Sequence, residues 1–228
     1  MTTEIKLKIL GLKSKEINTI LKSAFNKAID LPQDWEQIGR LITEQNDLLV
    51  FSLARGSPEW NKVHNKFKLS MPASEVQRIE RIQNIKLWNG FEKEMYAVKW
   101  RYGDDEVDWR ELFYGSKDTP PQDIYMSENG FKTFYNYGIH QVVSYFAKNS
   151  YYCSQNSYQV PSTTEKQMFL ATVIDCDKLQ EDPDRYVREA HAIPATGKSA
   201  ESMNDDYADL YEINSNRKAY PSYLITYQ

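Results

Sequence analysis

The stretch "ELFYGS", Glu111 to Ser116, decides how this chain is read. A later phrase, "VSYFA", Val143 to Ala147, is its companion. Each sets an aromatic side chain beside small residues: Tyr114 before Gly115 and Ser116, Tyr145 two residues before Ala147. Such phrases are either core packing or two walls of one cleft. The residues around them distinguish the two.

The chain has 228 residues, enough for one large domain or one domain with a short extension. Apolar residues make up 41% and charged residues 26%, ordinary values for a globular protein. Net charge is −4 and no long basic run occurs, so the footprint of a nucleic-acid binder is missing. Lys86, Lys93, Lys99 and Arg101 sit among acids, as on a solvated surface. No apolar run approaches the ~18–20 residues of a membrane span, and "MTTEIKLKIL" lacks the core and cleavage site of a signal peptide. The two cysteines, Cys153 and Cys176, form no disulfide framework and no zinc pattern. A reducing, intracellular location, cytoplasmic or nuclear, is expected, with no metal.

Helical periodicity is clearest in "SKEINTILKSAFNKAI". Ile17, Ile20, Leu21, Ala24, Phe25, Ala28 and Ile29 form one stripe, and Ser14 can cap it. "DLLVFSLA" reads as a buried strand. "SPEWNKVHNKFKLSMP" reads as a helix with Ser57 as N-cap, Pro58 at the first position, and Trp60, Val63 and Phe67 inward; His64 lies beside that face. "ASEVQRIERIQN" reads as a strand and "KLWNGFEKEMYAVKW" as a helix. "GDDEVDW" is an acidic loop without the ligand order of a calcium site. In "DTPPQDIYMSENGF", Asp118 is expected to cap a short helix that Gly130 ends. "KTFYNYGIHQ" reads as an irregular aromatic loop. "KQMFLATVI" and "PSYLITY" read as strands, and Asp182 to Asp206 as a polar loop.

Two familiar chemistries fail on inspection. "ATGKS", Ala195 to Ser199, resembles the end of a phosphate loop, but the glycine required earlier is Ala192, with no strong strand before it and no convincing helix after. A Ser-His-Asp site also fails: none of His64, His140 and His191 adjoins a nucleophile motif.

The informative pattern is spread along the chain. "RIERIQNIKLW", "LFYGS", "ENGF", "VSYFAKNSYYC", "MFLATVI" and "AYPSYLITY" occur in this order at compatible spacing. Together they resemble the PARP catalytic domain, a diphtheria-toxin-like ADP-ribosyltransferase. The similarity looks closest to the mono-ADP-ribosylating members that carry macrodomains, whose lead-in "LPQDW" and "SPEWNKVHNKF" resemble. It implies an α+β fold of two antiparallel sheets around an NAD cleft over residues 31–228, with residues 1–30 as an N-terminal helical extension. The implied reaction breaks the nicotinamide–ribose bond, which requires a clamp on the amide, rings against the base and a hold on the ribose.

By the same resemblance, Gly115 supplies the backbone clamp, its missing side chain letting the ligand approach. Tyr145 and Tyr158 flank the base, and Ser116 and Cys153 line the site. The family triad falls on Tyr114, Tyr145 and Leu210. The departures are chemical. Tyr114 replaces a ribose-binding histidine and its ring would invade the ribose space. Cys153 replaces a serine that bonds the amide, and a thiol is a weak donor. Gln141, Val142 and Val143 replace glycine-lysine-glycine. Leu210 occupies a slot that holds glutamate in polymerising members and often an apolar residue in mono-transferases. Glu212, two residues on, would take that slot if the loop slipped by two. Three functions are open: a pseudoenzyme that binds or scaffolds, an active mono-transferase using NAD, and a structural subunit of a larger protein assembly.

Overall fold

Ser57 and Pro58 start the first described helix as their types require. The Ser57 hydroxyl accepts the Trp60 amide at 3.2 Å and the proline takes the first turn. The computed structural model describes residues 31–32, 34–35, 47–103, 107–132, 134–136, 141–175 and 210–228. The expected helix Ser14–Ile29, His140, Cys176 and the polar loop with His191, Ala192 and "ATGKS" lie outside them. Val50–Gln228 forms one compact unit, and every described site residue belongs to it.

The elements follow in order: β1 (Leu48–Ser52), α1 (Pro58–Lys68), β2 (Val76–Asn84), α2 (Ile85–Tyr102), β3 (Asp108–Tyr114), α3 (Pro121–Tyr125), β4 (Phe134–Asn136) and β5 (Gln141–Ala147). Then come α4 (Ser150–Ser154), β6 (Tyr158–Gln159), β7 (Lys166–Asp175), β8 (Leu210–Ile213), a 3₁₀ turn at Asn216–Lys218, and β9 (Ala219–Tyr227). The strand order is β1-β2-β9-β7-β3-β5-β4, with β6 on β7 and β8 on β5. The described ladders are antiparallel.

Two sheets are visible inside this array. β3 pairs with β7 at seven successive positions, Asp108↔Asp175 to Tyr114↔Phe169. Across to β5 it makes a single registered pair, Phe113↔Ala147. β5 then carries β8 and β4. The array is therefore a large sheet and a small one, joined at one pair, which is the two-sheet α+β architecture expected. Arg110 of β3 adds a second link: its Nη1 donates to the Tyr211 hydroxyl of β8 and its guanidinium lies 5.1 Å over that ring.

Strand alternation sorts the core into two faces. Phe113, Met168, Leu170, Ile225 and Tyr227 pack with Trp60, Val63 and Phe67 of α1. Tyr220, on the other side of β9, meets Trp88 and Phe91 of α2 at 5.1 and 6.3 Å. α1 thus covers one face and α2 the other. His64 stacks on Trp60 at 4.3 Å, a packing role on a half-buried helix flank.

Local readings fail at two places. Asp118 does not cap α3: Pro120 holds the N-cap position with no side-chain hydrogen bond. Gly130 does not end α3 either, since the helix stops at Tyr125 and Met126 is its C-cap. Gly130, at φ +66°, instead turns the chain beyond Ser127, whose hydroxyl accepts the Gly130 amide at 2.7 Å. The expected aromatic loop also contains a short strand, β4, because pairing with β5 satisfies its backbone.

One buried hydroxyl closes the β2–α2 junction. Tyr220 donates to the Ile82 carbonyl at 2.8 Å and accepts the Asn84 amide at 2.9 Å. Asn84 is itself the α2 N-cap, accepting the Leu87 amide at 3.0 Å, and its side-chain nitrogen donates to the Tyr125 carbonyl at 2.8 Å. Tyr220→Phe leaves a buried amide and carbonyl without this partner. It is expected to lower stability by about 1–3 kcal/mol in urea unfolding, with the midpoint shifted and the slope unchanged.

Candidate functional site

The candidate site forms where β3 ends. Gly115 follows the strand, and α4 runs directly beneath it. A Cβ built on Gly115 would lie 2.5 Å from the Asn156 carbonyl oxygen and 2.7 Å from that of Cys153. No side chain fits there. The backbone at the end of this chain's own helix by itself requires glycine here.

α4 is held in that position from several sides. Asn149 caps it, accepting the Tyr152 amide at 2.9 Å. The buried Ser150 hydroxyl donates to the Phe67 carbonyl of α1 at 2.7 Å. The Tyr227 hydroxyl donates to Ser157 at 2.9 Å, and Ser157 donates to the Cys153 carbonyl at 3.1 Å. These bonds tie α4 to α1 and β9.

Cys153 sits at the join of the two sheets, a free thiol at 5% exposure. Burial pushes its pKa up to about 12, while hydrogen bonds from the backbone at Gly115 and Ala147 pull the other way. The neutral thiol is therefore the stable form and no thiolate nucleophile is available near neutral pH.

Tyr114 lies deeper than a ribose-binding group should. It is 6% exposed, with its ring 4.7 Å from Phe131 and 5.1 Å from Phe146. Phe131 also meets Phe146 at 5.1 Å and Phe169 at 5.4 Å, both edge-on. Four rings fill this corner. Burial, with Cys153 adding to it, raises the Tyr114 hydroxyl to about 12, so the phenol is neutral and serves as no base. Phe131 and Phe146 were not singled out from the sequence. Their positions in "ENGF" and "YFA" mark the phrases but do not reveal that they enclose Tyr114.

The other expected residues are more dispersed. Tyr145 is half-buried in β5 and, by alternation, lies on the Ala147 side of the strand, opposite the Phe146 side that Tyr114 packs against. Tyr158 is half-buried in β6, opposite Gln167 of β7. The Ser116 hydroxyl is buried with no hydrogen-bond partner. The β5–β8 register sets Leu210 opposite Ala147 and Glu212 opposite Tyr145. Cys153, Gly115 and Ala147 are brought together, and Tyr114 joins them through the thiol. As arranged, the residues do not fit NAD: where the resemblance expects a ribose-binding group, Tyr114 is buried with its ring against Phe131 and Phe146.

Comparison with known proteins explains the architecture. A probable poly(ADP-ribose) polymerase of Dictyostelium discoideum is 30% identical over 211 residues, 86% of this chain and 57% of that protein. The human protein mono-ADP-ribosyltransferase PARP11 is 27% identical over 230 residues, 89% of this chain and 64% of that protein. The human protein mono-ADP-ribosyltransferase PARP14 is 25% identical over 214 residues, 88% of this chain and 11% of that protein. The chain carries a PARP catalytic domain. It spans less than two thirds of the length of each of these relatives. No protein-family model matches it. Among the described residues of this PARP domain no group of three metal-ligating side chains occurs, and no helix is long and apolar enough to cross a membrane.

Two measurements test the close packing of the PARP domain here. Gly115→Ala is expected to destabilise it by about 1–3 kcal/mol or more in thermal or urea unfolding, because the contact is with backbone that cannot rotate away. Alkali tests the buried acids. Cys153 and Tyr114 have folded pKa values raised above their unfolded ones, so their contribution is complete below about pH 9 and is lost as pH climbs toward 12. Unfolding midpoints are expected to fall across that window. Tyr114→Phe, which removes one such titration while those of Cys153, Tyr125, Tyr220 and Tyr227 remain, is expected to make the fall shallower.

Proposed function

We propose that this PARP domain is a pseudoenzyme: the transferase fold retained as a binding or scaffold module for a protein partner inside the cell. The observation that carries this reading is Tyr114, buried with Phe131 and Phe146 where the family resemblance expects a ribose-binding histidine. Cys153 adds to it, since a buried neutral thiol, a weak donor, stands where the resemblance expects a serine that bonds the amide. A neutral phenol inside an aromatic cluster neither grips a ribose hydroxyl nor stabilises positive charge on the sugar.

The second reading is an active mono-ADP-ribosyltransferase that consumes NAD with an atypical Tyr114, Tyr145, Leu210 motif. The names of the human relatives favour it. So does the backbone register that pairs Glu212 with Tyr145 on adjacent strands.

Calorimetry with NAD separates the two. The pseudoenzyme reading expects no binding at about millimolar NAD, a free energy weaker than roughly −4 kcal/mol. Micromolar affinity would overturn it. NAD hydrolysis and self-modification, measured on the natural chain, on Glu212→Gln and on the combined Tyr114→His, Val143→Gly and Cys153→Ser variant, complete the test. Activity of the natural chain that Glu212→Gln abolishes makes the domain an enzyme. An inert natural chain with a combined variant that binds NAD supports a degenerate site on an intact fold.

A further inference from the structure

The outer face of α2 carries side chains that a lone solvated helix does not need. Trp100 is 90% exposed and Tyr96, one turn earlier, is 54% exposed. Lys93 and Ala97 are exposed on the same stripe, as helical spacing requires of residues 93, 96, 97 and 100. The inner face of α2 is already committed, with Ile85, Trp88, Phe91 and Val98 buried. A tryptophan left in water forfeits a large apolar contact, and surface tryptophans with tyrosine neighbours are the usual anchors of interfaces.

We propose that α2 is a homodimer interface, packing against α2 of a second copy of this chain in antiparallel orientation about a two-fold axis between Tyr96 and Ala97. The stripe is self-complementary about that point, which an isologous contact demands. A two-fold there sets residue 93 level with residue 100 of the other copy. Lys93 then lies against the partner copy's indole, a cation on the face of the best aromatic acceptor. Tyr96 meets its own symmetry mate on one side of the axis. Ala97 meets its mate on the other, and its small side chain allows the helices to approach.

Charge agrees with the same register. Glu94 and Arg101 lie on one flank of the stripe, and in a two-fold pair that flank meets itself. Glu94 of one copy and Arg101 of the other are then about 3 Å apart along the axis. Arg101 lies 5.7 Å over its own Tyr102 ring, so its guanidinium is already directed along the surface. A parallel pairing would set Lys93 against Lys93 and Arg101 against Arg101, which like charges oppose.

Sedimentation equilibrium on the full chain at about 100 µM tests the proposal. The expected result is a mass rising toward two chains with concentration. Trp100→Glu, at a position that supports no core contact, is expected to return the mass to one chain with an unchanged melting temperature. Glu94→Arg and Arg101→Glu are each expected to weaken association, and the double exchange to restore it, since both symmetry-related pairs are then remade. A natural chain that stays monomeric overturns the proposal. So does a Trp100→Glu variant that associates as the natural chain does, or a double exchange that fails to recover what the single ones lose.

Discussion

The approach of α4 to Gly115 constrains everything near the candidate site. Carbonyl oxygens stand within van der Waals exclusion of any Cβ at that position, so the end of β3 and the helix can close only over glycine. α4 cannot relieve the contact by drifting, because Ser150, Ser157 and Tyr227 anchor it to the core. The small sheet hangs on the large one at the single pair Phe113↔Ala147, directly beside this contact. Cys153 is buried beside that pair, in one core cluster with Phe113 and Ala147.

Tyr114 extends that logic from backbone to side chain. A ribose-binding site needs a polar group facing a cavity. Tyr114 feeds a hydrophobic corner instead, its ring against Phe131 and Phe146, with Phe169 edge-on to Phe131. The buried Ser116 hydroxyl, without a partner, is the polar remnant in this corner.

What the chain determined by itself was local or patterned. The α1 start at Ser57–Pro58, the inward Trp60, Val63 and Phe67, and the strands β2, β7 and β9 all follow from capping chemistry and periodicity, which act over a few residues. The six phrases in order determined the family, because each phrase marks a fixed place in one topology. Capping at Asp118 was not legible: the two prolines that follow it begin the helix later, and no side-chain bond forms.

Only the tertiary structure decided the state of the site. Tyr114, Phe131, Phe146 and Phe169 are far apart in sequence, and their enclosure depends on four elements meeting at one corner. The reason for Gly115 likewise depended on the position of α4, since a missing side chain looks the same in sequence whether a ligand or a helix fills its place. Which of Leu210 and Glu212 stands opposite Tyr145 is a matter of strand register, and pairing chosen across the whole β5–β8 ladder set it. Sequence spacing records which residues are available. Through-space packing, which sums contacts from distant segments, determines which of them face each other.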